Sequence, residues 1–207
     1  PAGAAPARPA RRGTPGGRID LLAIGCSTGG PDALTKVLQG LPADFGVPIV
    51  VTQHMPPVFT KMFAERLDRS TPLRVAEAGD GMELAAGCAY IAPGDHHLVL
   101  NRRGTATLTQ LSSAPPENSC RPAVDVMFRS VASLYGASAY AVVLTGMGHD
   151  GRGGAKVLRD GGAEIRGRRG FFVVAIHRAN MPRDPGVSQT LRRSEVFQRP
   201  MNPATPG

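Results

Sequence analysis

Cysteine is scarce: three residues in 207, Cys26, Cys88 and Cys120, an odd number without the short paired spacings of a metal knuckle. That excludes a disulfide framework and points to a reducing compartment. Long apolar runs are lacking as well. None reaches the ~20 residues that a bilayer-spanning helix needs, and the N-terminus has no apolar core of the signal-peptide kind. A cytoplasmic protein without membrane insertion is expected. Acid is missing from residues 1–18, which carry four arginines, and is sparse in 159–207, where nine arginines face four acids. The intervening 19–158 hold eleven bases and twelve acids, so the net charge of +8 belongs to the ends of the chain. The core carries no basic patch that asks for nucleic acid, and none is expected as a partner.

What is present suits one globular domain, with 42% hydrophobic residues. Residues 1–18, almost entirely Pro, Ala, Arg and Gly, read as a flexible basic linker. The core then opens on Ile19-Asp20-Leu21-Leu22-Ala23-Ile24-Gly25-Cys26-Ser27-Thr28-Gly29-Gly30-Pro31. An apolar run, a turn of small residues and the start of a helical pattern follow one another, which predicts a buried strand, a tight bend and a helix over 31–39. Gly25, Ser27 and Gly29 fit the G-x-S-x-G template that displays a serine oxygen on such a bend. A phosphate-binding loop would need Lys and then Ser or Thr after the last glycine, where Pro31-Asp32 stand, and the dinucleotide G-x-G-x-x-G pattern fails because Gly25 is followed by Cys26-Ser27, with serine where the second glycine should be.

Further along, 48–52 reads as a strand ending at Gln53-His54, and a helix follows with Phe59, Met62, Phe63 and Leu67 on one face. Strands are predicted at 73–76, 88–92, 98–100 and 105–110, the last two joined as a hairpin by Asn101-Arg102-Arg103-Gly104. Val124, Met127, Phe128, Val131, Leu134 and Tyr135 recur at helical spacing and are closed by Gly136. A strand over 139–144 leads to Thr145-Gly146-Met147-Gly148-His149-Asp150, with a helix over 153–160. The alternation predicts an α/β fold, doubly wound and mostly parallel, with helices on both faces and an antiparallel hairpin excursion.

Ligands of such sheets collect beyond the carboxyl ends of the strands. Three of those ends deliver a hydroxyl (Ser27, beside Thr28), an imidazole (His54) and a carboxylate (Asp150) to one edge. A serine hydroxyl becomes nucleophilic when a base takes its proton, and that base needs a carboxylate to fix its tautomer. Backbone N–H groups around Thr28, Gly29 and Gly30 could then stabilise an oxyanion. Each residue also has a plainer reading. Ser27 and Thr28 suit a helix cap, His54 a hydrogen-bonded strand end, and Asp150 the N-cap of the helix that follows it. Cys26, one residue before Ser27, reads as a small buried thiol, and His149, the rival base, as pointing outward. Asp95, His96 and His97 lack a second ligand pair at zinc-type spacing.

Five motifs in order over 19–165 resemble the catalytic domain of the chemotaxis protein-glutamate methylesterases (CheB type). They are Ile24-Gly25-Cys26-Ser27-Thr28-Gly29-Gly30-Pro31, Val51-Thr52-Gln53-His54-Met55-Pro56, Tyr90-Ile91-Ala92-Pro93-Gly94-Asp95-His96-His97, Arg121-Pro122-Ala123-Val124-Asp125 and Leu144-Thr145-Gly146-Met147-Gly148-His149-Asp150-Gly151. The resemblance implies hydrolysis of γ-glutamyl methyl esters on chemoreceptor helices, with methanol released, and deamidation of particular receptor glutamines. It implies catalytic roles for Ser27, His54 and Asp150, with Thr28, Gly29 and Met147 near the nucleophile and oxyanion, and no metal or organic cofactor. A catalytic domain over 19–183 follows. Family members commonly carry an N-terminal phosphoacceptor receiver domain, a further partner by this reading, and 1–18 resemble the linker behind it. After Ile165 the pattern departs. Arg166-Gly167-Arg168-Arg169-Gly170 intervenes, Asn180-Met181-Pro182-Arg183 only echoes the family's Gly-Met-Pro-Arg, and 184–207 read as a divergent, disordered tail. Within this reading the alternatives are a catalytically impaired anion- or receptor-binding module and a hydrolase of another ester.

Overall fold

A computed structural model describes residues 19–146, 148–163, 166–168 and 171–175. The expected linker over 1–18, the tail over 184–207 and Met147 lie outside the described residues. The first strand, β1 (Leu21–Cys26), is buried along its whole length. It is followed by α1 (Gly30–Gln39), β2 (Ile49–Gln53), α2 (Pro57–Ser70), β3 (Arg74–Glu77) and β4 (Cys88–Ile91). Then come β5 (His97–Arg103), β6 (Ala106–Ser112), α3 (Val124–Tyr135), a short 3-10 turn, β7 (Ala139–Val143), α4 (Arg152–Asp160), β8 (Arg166–Arg168) and β9 (Phe171–Ala175).

Five strands form one parallel sheet in the order β3-β4-β2-β1-β7. Alternation along β1 divides the core between its faces. Leu22, Ile24 and Cys26 pack with Leu34 and Leu38 of α1 and Phe63 and Leu67 of α2. Leu21 and Ala23 pack with Met127, Phe128 and Val131 of α3 and Leu158 of α4. A sheet covered on both sides needs continuous apolar strands, which is what β1 and β2 supply. The doubly wound α/β expectation and its antiparallel excursion, the β5-β6 ribbon, match this architecture.

Two local expectations are corrected. In α2, Phe59 is 55% and Met62 61% exposed, while Thr60, Phe63, Ala64 and Leu67 are buried. The helix turns its 60/63/64/67 stripe inward, where Thr60 hydrogen-bonds Glu77 at 2.5 Å and anchors the helix to β3. In the hairpin, Asn101, Arg102 and Arg103 belong to β5, and the bend is Gly104-Thr105 with Gly104 at φ 63°. A two-residue turn needs positive φ, which glycine supplies without a Cβ clash. Near the end of the described chain, β9 (Phe171–Ala175) pairs antiparallel with β8 as a separate two-stranded ribbon.

Candidate active site

The position of β1 between β2 and β7 decides which loops meet at the carboxyl edge. Ser27 follows β1 directly, and its N–H donates to Thr145 O beyond β7 at 2.8 Å. His54 follows β2, its N–H donating to Cys26 O at 3.1 Å. The bend 27–30 is closed by Gly30 N–H donating to Ser27 O at 2.7 Å, with Gly29 at φ 74°. Two close approaches hold it in place. A Cβ on Gly146 would lie 2.7 Å from Ser27 Cβ, and one on Gly30 would lie 1.9 Å from Gln53 Oε1. Gln53 Nε2 donates to both Ser27 O (3.1 Å) and His54 O (3.0 Å), tying the ends of β1 and β2 together.

The side chains of Ser27, His54 and Asp150 meet. His54 Nδ1 lies 3.0 Å from Ser27 Oγ, and His54 Nε2 lies 2.8 Å from Asp150 Oδ2. His54 is 20% and Asp150 5% exposed at the side chain, so the carboxylate is enclosed while the imidazole still reaches solvent.

Asp150 also accepts from Val124 N (2.6 Å), Asp125 N (3.0 Å), Gly151 N (3.0 Å) and Asn118 Nδ2 (3.0 Å). Burial opposes its charge. The His54 bond, the two N–H groups at the start of α3 and Asn118 outweigh that burial and hold the carboxyl below the usual aspartate range. An ionised carboxylate can only accept, so Nε2 must carry the ring proton and Nδ1 presents its lone pair to the serine hydroxyl.

Asp150 is a cap, but of a different helix from the one its position in the chain suggests. α4 starts from Gly151 with no side-chain cap. The orphan N–H groups that Asp150 satisfies are those of α3, whose own N-cap is Ala123. The positive end of the α3 dipole therefore faces the carboxylate.

The other candidates take other places. Cys26 is buried, and burial pushes its thiol up, away from the reactive thiolate. His149 is exposed. His97 is buried with both ring nitrogens engaged, Nε2 with Pro115 O (3.1 Å) and Nδ1 with Ala123 N–H (3.1 Å), while Asp95 pairs with Arg121. Thr28 and Gly29 sit exposed at the bend, and Thr145 Oγ1 donates to Thr28 O at 3.0 Å.

Sequence reasoning missed the support around Asp150. Asn118 donates from the same amide nitrogen to Asp150 and to Asp125 Oδ2 (2.9 Å), and buried Asp125 also accepts from Gly154 N (2.6 Å) on α4. Asn118 sits in a turn over 117–120, with φ 52° at Asn118 and 61° at Ser119. Its signal was the Pro-Glu-Asn-Ser stretch, since asparagine tolerates the left-handed region.

A serine, an imidazole and a buried carboxylate in hydrogen-bonded series, at the carboxyl edge of a parallel sheet, define the class of α/β proteins equipped for serine-hydrolase chemistry. The model of the CheB methylesterase family matches residues 22–168, and the chain belongs to that family. It is 51% identical over 148 residues to a protein-glutamate methylesterase/protein-glutamine glutaminase of Trichodesmium erythraeum, covering 72% of this chain and 42% of that one. It is 49% identical over 159 residues to its namesake in Maricaulis maris, covering 76% and 40%. The chain thus spans less than half the length of these relatives. The crystal structure of the Thermotoga maritima CheB methylesterase catalytic domain superposes with a TM-score of 0.69 at 42% identity, covering 75% of this chain and 85% of that one. Among the described residues, no helix is long and apolar enough to cross a membrane.

Proposed function

We propose that this chain hydrolyses γ-glutamyl methyl esters on the cytoplasmic helices of chemoreceptors and deamidates receptor glutamines at the same site. The observation that carries this reading is the series Ser27 Oγ, His54 and Asp150, at 3.0 and 2.8 Å, in a member of the CheB methylesterase family.

Ser27 Oγ attacks the ester carbonyl while its proton passes to His54 Nδ1. Asp150 holds Nε2–H and stabilises the imidazolium. The negative charge on the carbonyl oxygen falls to N–H groups of Thr28 and Gly29, because that of Gly30 is already spent on Ser27 O. Met147, outside the described residues, is assigned to the same vicinity by the family resemblance. The imidazolium then protonates the leaving methoxide, and methanol departs from the acyl-enzyme. A water, deprotonated by His54, attacks the acyl carbon and restores Ser27 with a free glutamate. A glutamine follows the same course with ammonia as leaving group. Neither route calls for a metal or organic cofactor. A receiver domain is the natural regulatory partner of such a site, at the edge where Ser27 is half-buried beside the exposed Thr28 and Gly29.

The test joins two assays on one variant. Methanol release from methylated receptor membranes and labelling by a fluorophosphonate probe should both be present in the native chain. In Ser27→Ala labelling should vanish and release should fall at least ~10³-fold. Labelling without methanol release would reassign the chain to another ester. A folded protein that does neither would make it a binding module.

A further inference from the structure

His54 Nδ1 faces a second side chain besides the serine. Cys120 Sγ lies 3.6 Å from it, on the same side of the ring as Ser27 Oγ at 3.0 Å. A thiol is a weak donor, and this separation adds little as a hydrogen bond. It does match the span between two ligands of one tetrahedral metal ion. With Zn–N near 2.0–2.1 Å and Zn–S near 2.3 Å, the two donor atoms stand about 3.6 Å apart. One donor atom each from His54, Cys120 and Asp150 lie within 4.8 Å of one another.

The arrangement around the ring suits metal binding in a second way. Nε2–H is held by the Asp150 carboxylate at 2.8 Å, which fixes the tautomer and leaves Nδ1 unprotonated, with Ser27 Oγ at 3.0 Å and Cys120 Sγ at 3.6 Å. A carboxylate behind a histidine is the usual outer support of a metal-binding imidazole. Cys120 is itself held in position. Its N–H donates to Glu117 O (2.9 Å), and its O accepts from Glu117 N (3.0 Å). Arg129 of α3 grips the Glu117 carboxylate through two nitrogens. His54 and Cys120 are both partly exposed, so an ion can enter from solvent.

We propose that His54 Nδ1, Cys120 Sγ and Ser27 Oγ form an inhibitory site for a thiophilic divalent cation of the zinc class, with water as the fourth ligand. Binding expels the Cys120 thiol proton to solvent, and nothing is oxidised or reduced. The ion takes the lone pair that would otherwise accept the serine proton, so metal-bound and active forms exclude each other. The inhibition rests on the proposed role of His54, whereas the binding stands without it.

Cadmium titration of the full chain reads the binding through its thiolate-to-metal absorption band. Parallel samples carry Cys120→Ser, which keeps the size of the side chain, and Cys88→Ala. The band should appear in the native chain and in Cys88→Ala and be lost in Cys120→Ser. Fluorophosphonate labelling of Ser27 reads the inhibition. The zinc concentration that halves it should rise at least tenfold in Cys120→Ser, and a chelator should restore labelling in the native chain. No band in the native chain, or a band that survives Cys120→Ser, overturns the site. Zinc inhibition unchanged in Cys120→Ser overturns the inhibitory role. If the metal-free protein never labels while the band depends on Cys120, the binding site is upheld and the esterase reading is what fails.

Discussion

Asp150 does two jobs with one carboxylate: it orients His54, and it takes up the first N–H groups of α3. The two jobs make the position of the acid depend on where α3 begins. Asn118 adds a further constraint by bridging Asp150 to Asp125, whose other oxygen is bound to α4. Without that amide, two carboxylates would face each other with one shared donor fewer. Asn118 is exposed, so water can replace part of what is lost. Asn118→Ala should therefore lower kcat by about 5–10-fold, somewhat below the roughly 13-fold low end of a hydrogen bond to a charged group, with KM nearly unchanged. Asp150→Asn should cost far more, about 10³–10⁴-fold in kcat, because an amide need not hold the Nε2–H tautomer. Steady-state methanol release by the two variants checks both. An Asn118→Ala effect confined to KM would make Asn118 a substrate contact instead of a positioning residue.

At the scale of elements, β1 and α3 are pressed together at Gly25. A Cβ there would lie 2.4 Å from Val124 Cγ1, and Val124 is the residue whose N–H binds Asp150 at 2.6 Å. Gly25→Ala must push the start of α3 off the sheet or force Val124 from its rotamer. Overpacking of this kind costs about 1–3 kcal/mol, and the urea midpoint should fall accordingly without a change in m. Adding Val124→Ala to Gly25→Ala opens the space again, so the two changes together should destabilise less than their sum. Strict additivity would mean that the contact does not set the spacing.

This junction also shows what could be read from the residues alone. The strands and their order of appearance were legible, because β1, β2 and β7 are short apolar runs punctuated by Gly, Pro or a polar residue. Ser27, His54 and Asp150 were legible as candidates because each stands just beyond such a run. The helix that Asp150 caps was not. Sequence proximity favours α4, and only packing of α3 across β1 brings Val124 and Asp125 within reach. The inward stripe of α2 was misjudged for a similar reason. Phe59 and Met62 are apolar, but Thr60 carries the hydrogen bond to Glu77 that sets the rotation of the helix. Asn118 and Cys120 fell in a stretch without periodicity, where turn chemistry predicts a bend but not what it touches.

Across the whole molecule, titrating groups bound the pH range of stability from both sides. On the acid side, Asp150 and Glu117 have carboxyls held below their ordinary values. For Asp150 the bonding to His54 and α3 overcomes burial, and for Glu117 the hydrogen bond from Arg129 dominates. The native state then binds fewer protons than the unfolded chain, so their contribution is complete above about pH 4–5 and is lost as pH falls through the folded values. On the alkaline side, burial pushes the Cys26 thiol up. The unfolded chain releases that proton above about pH 8.5 while the native state keeps it, so stability is full below that pH and declines above it. Urea midpoints measured under reducing conditions from pH 3 to pH 10 should show a plateau between about pH 5 and 8 with a limb on each side. Cys26→Ala leaves a small cavity under α1 and lowers the plateau, but a cavity cost does not vary with pH. The slope of the alkaline limb is therefore the diagnostic quantity, and it should flatten in Cys26→Ala. Asp150→Asn should likewise flatten the acid limb. An alkaline limb that keeps its slope and its onset in Cys26→Ala would move the effect to the Cys120 thiol, which burial also raises, whereas one that begins nearer pH 10 would move it to the phenols of Tyr90 and Tyr140, both raised by burial.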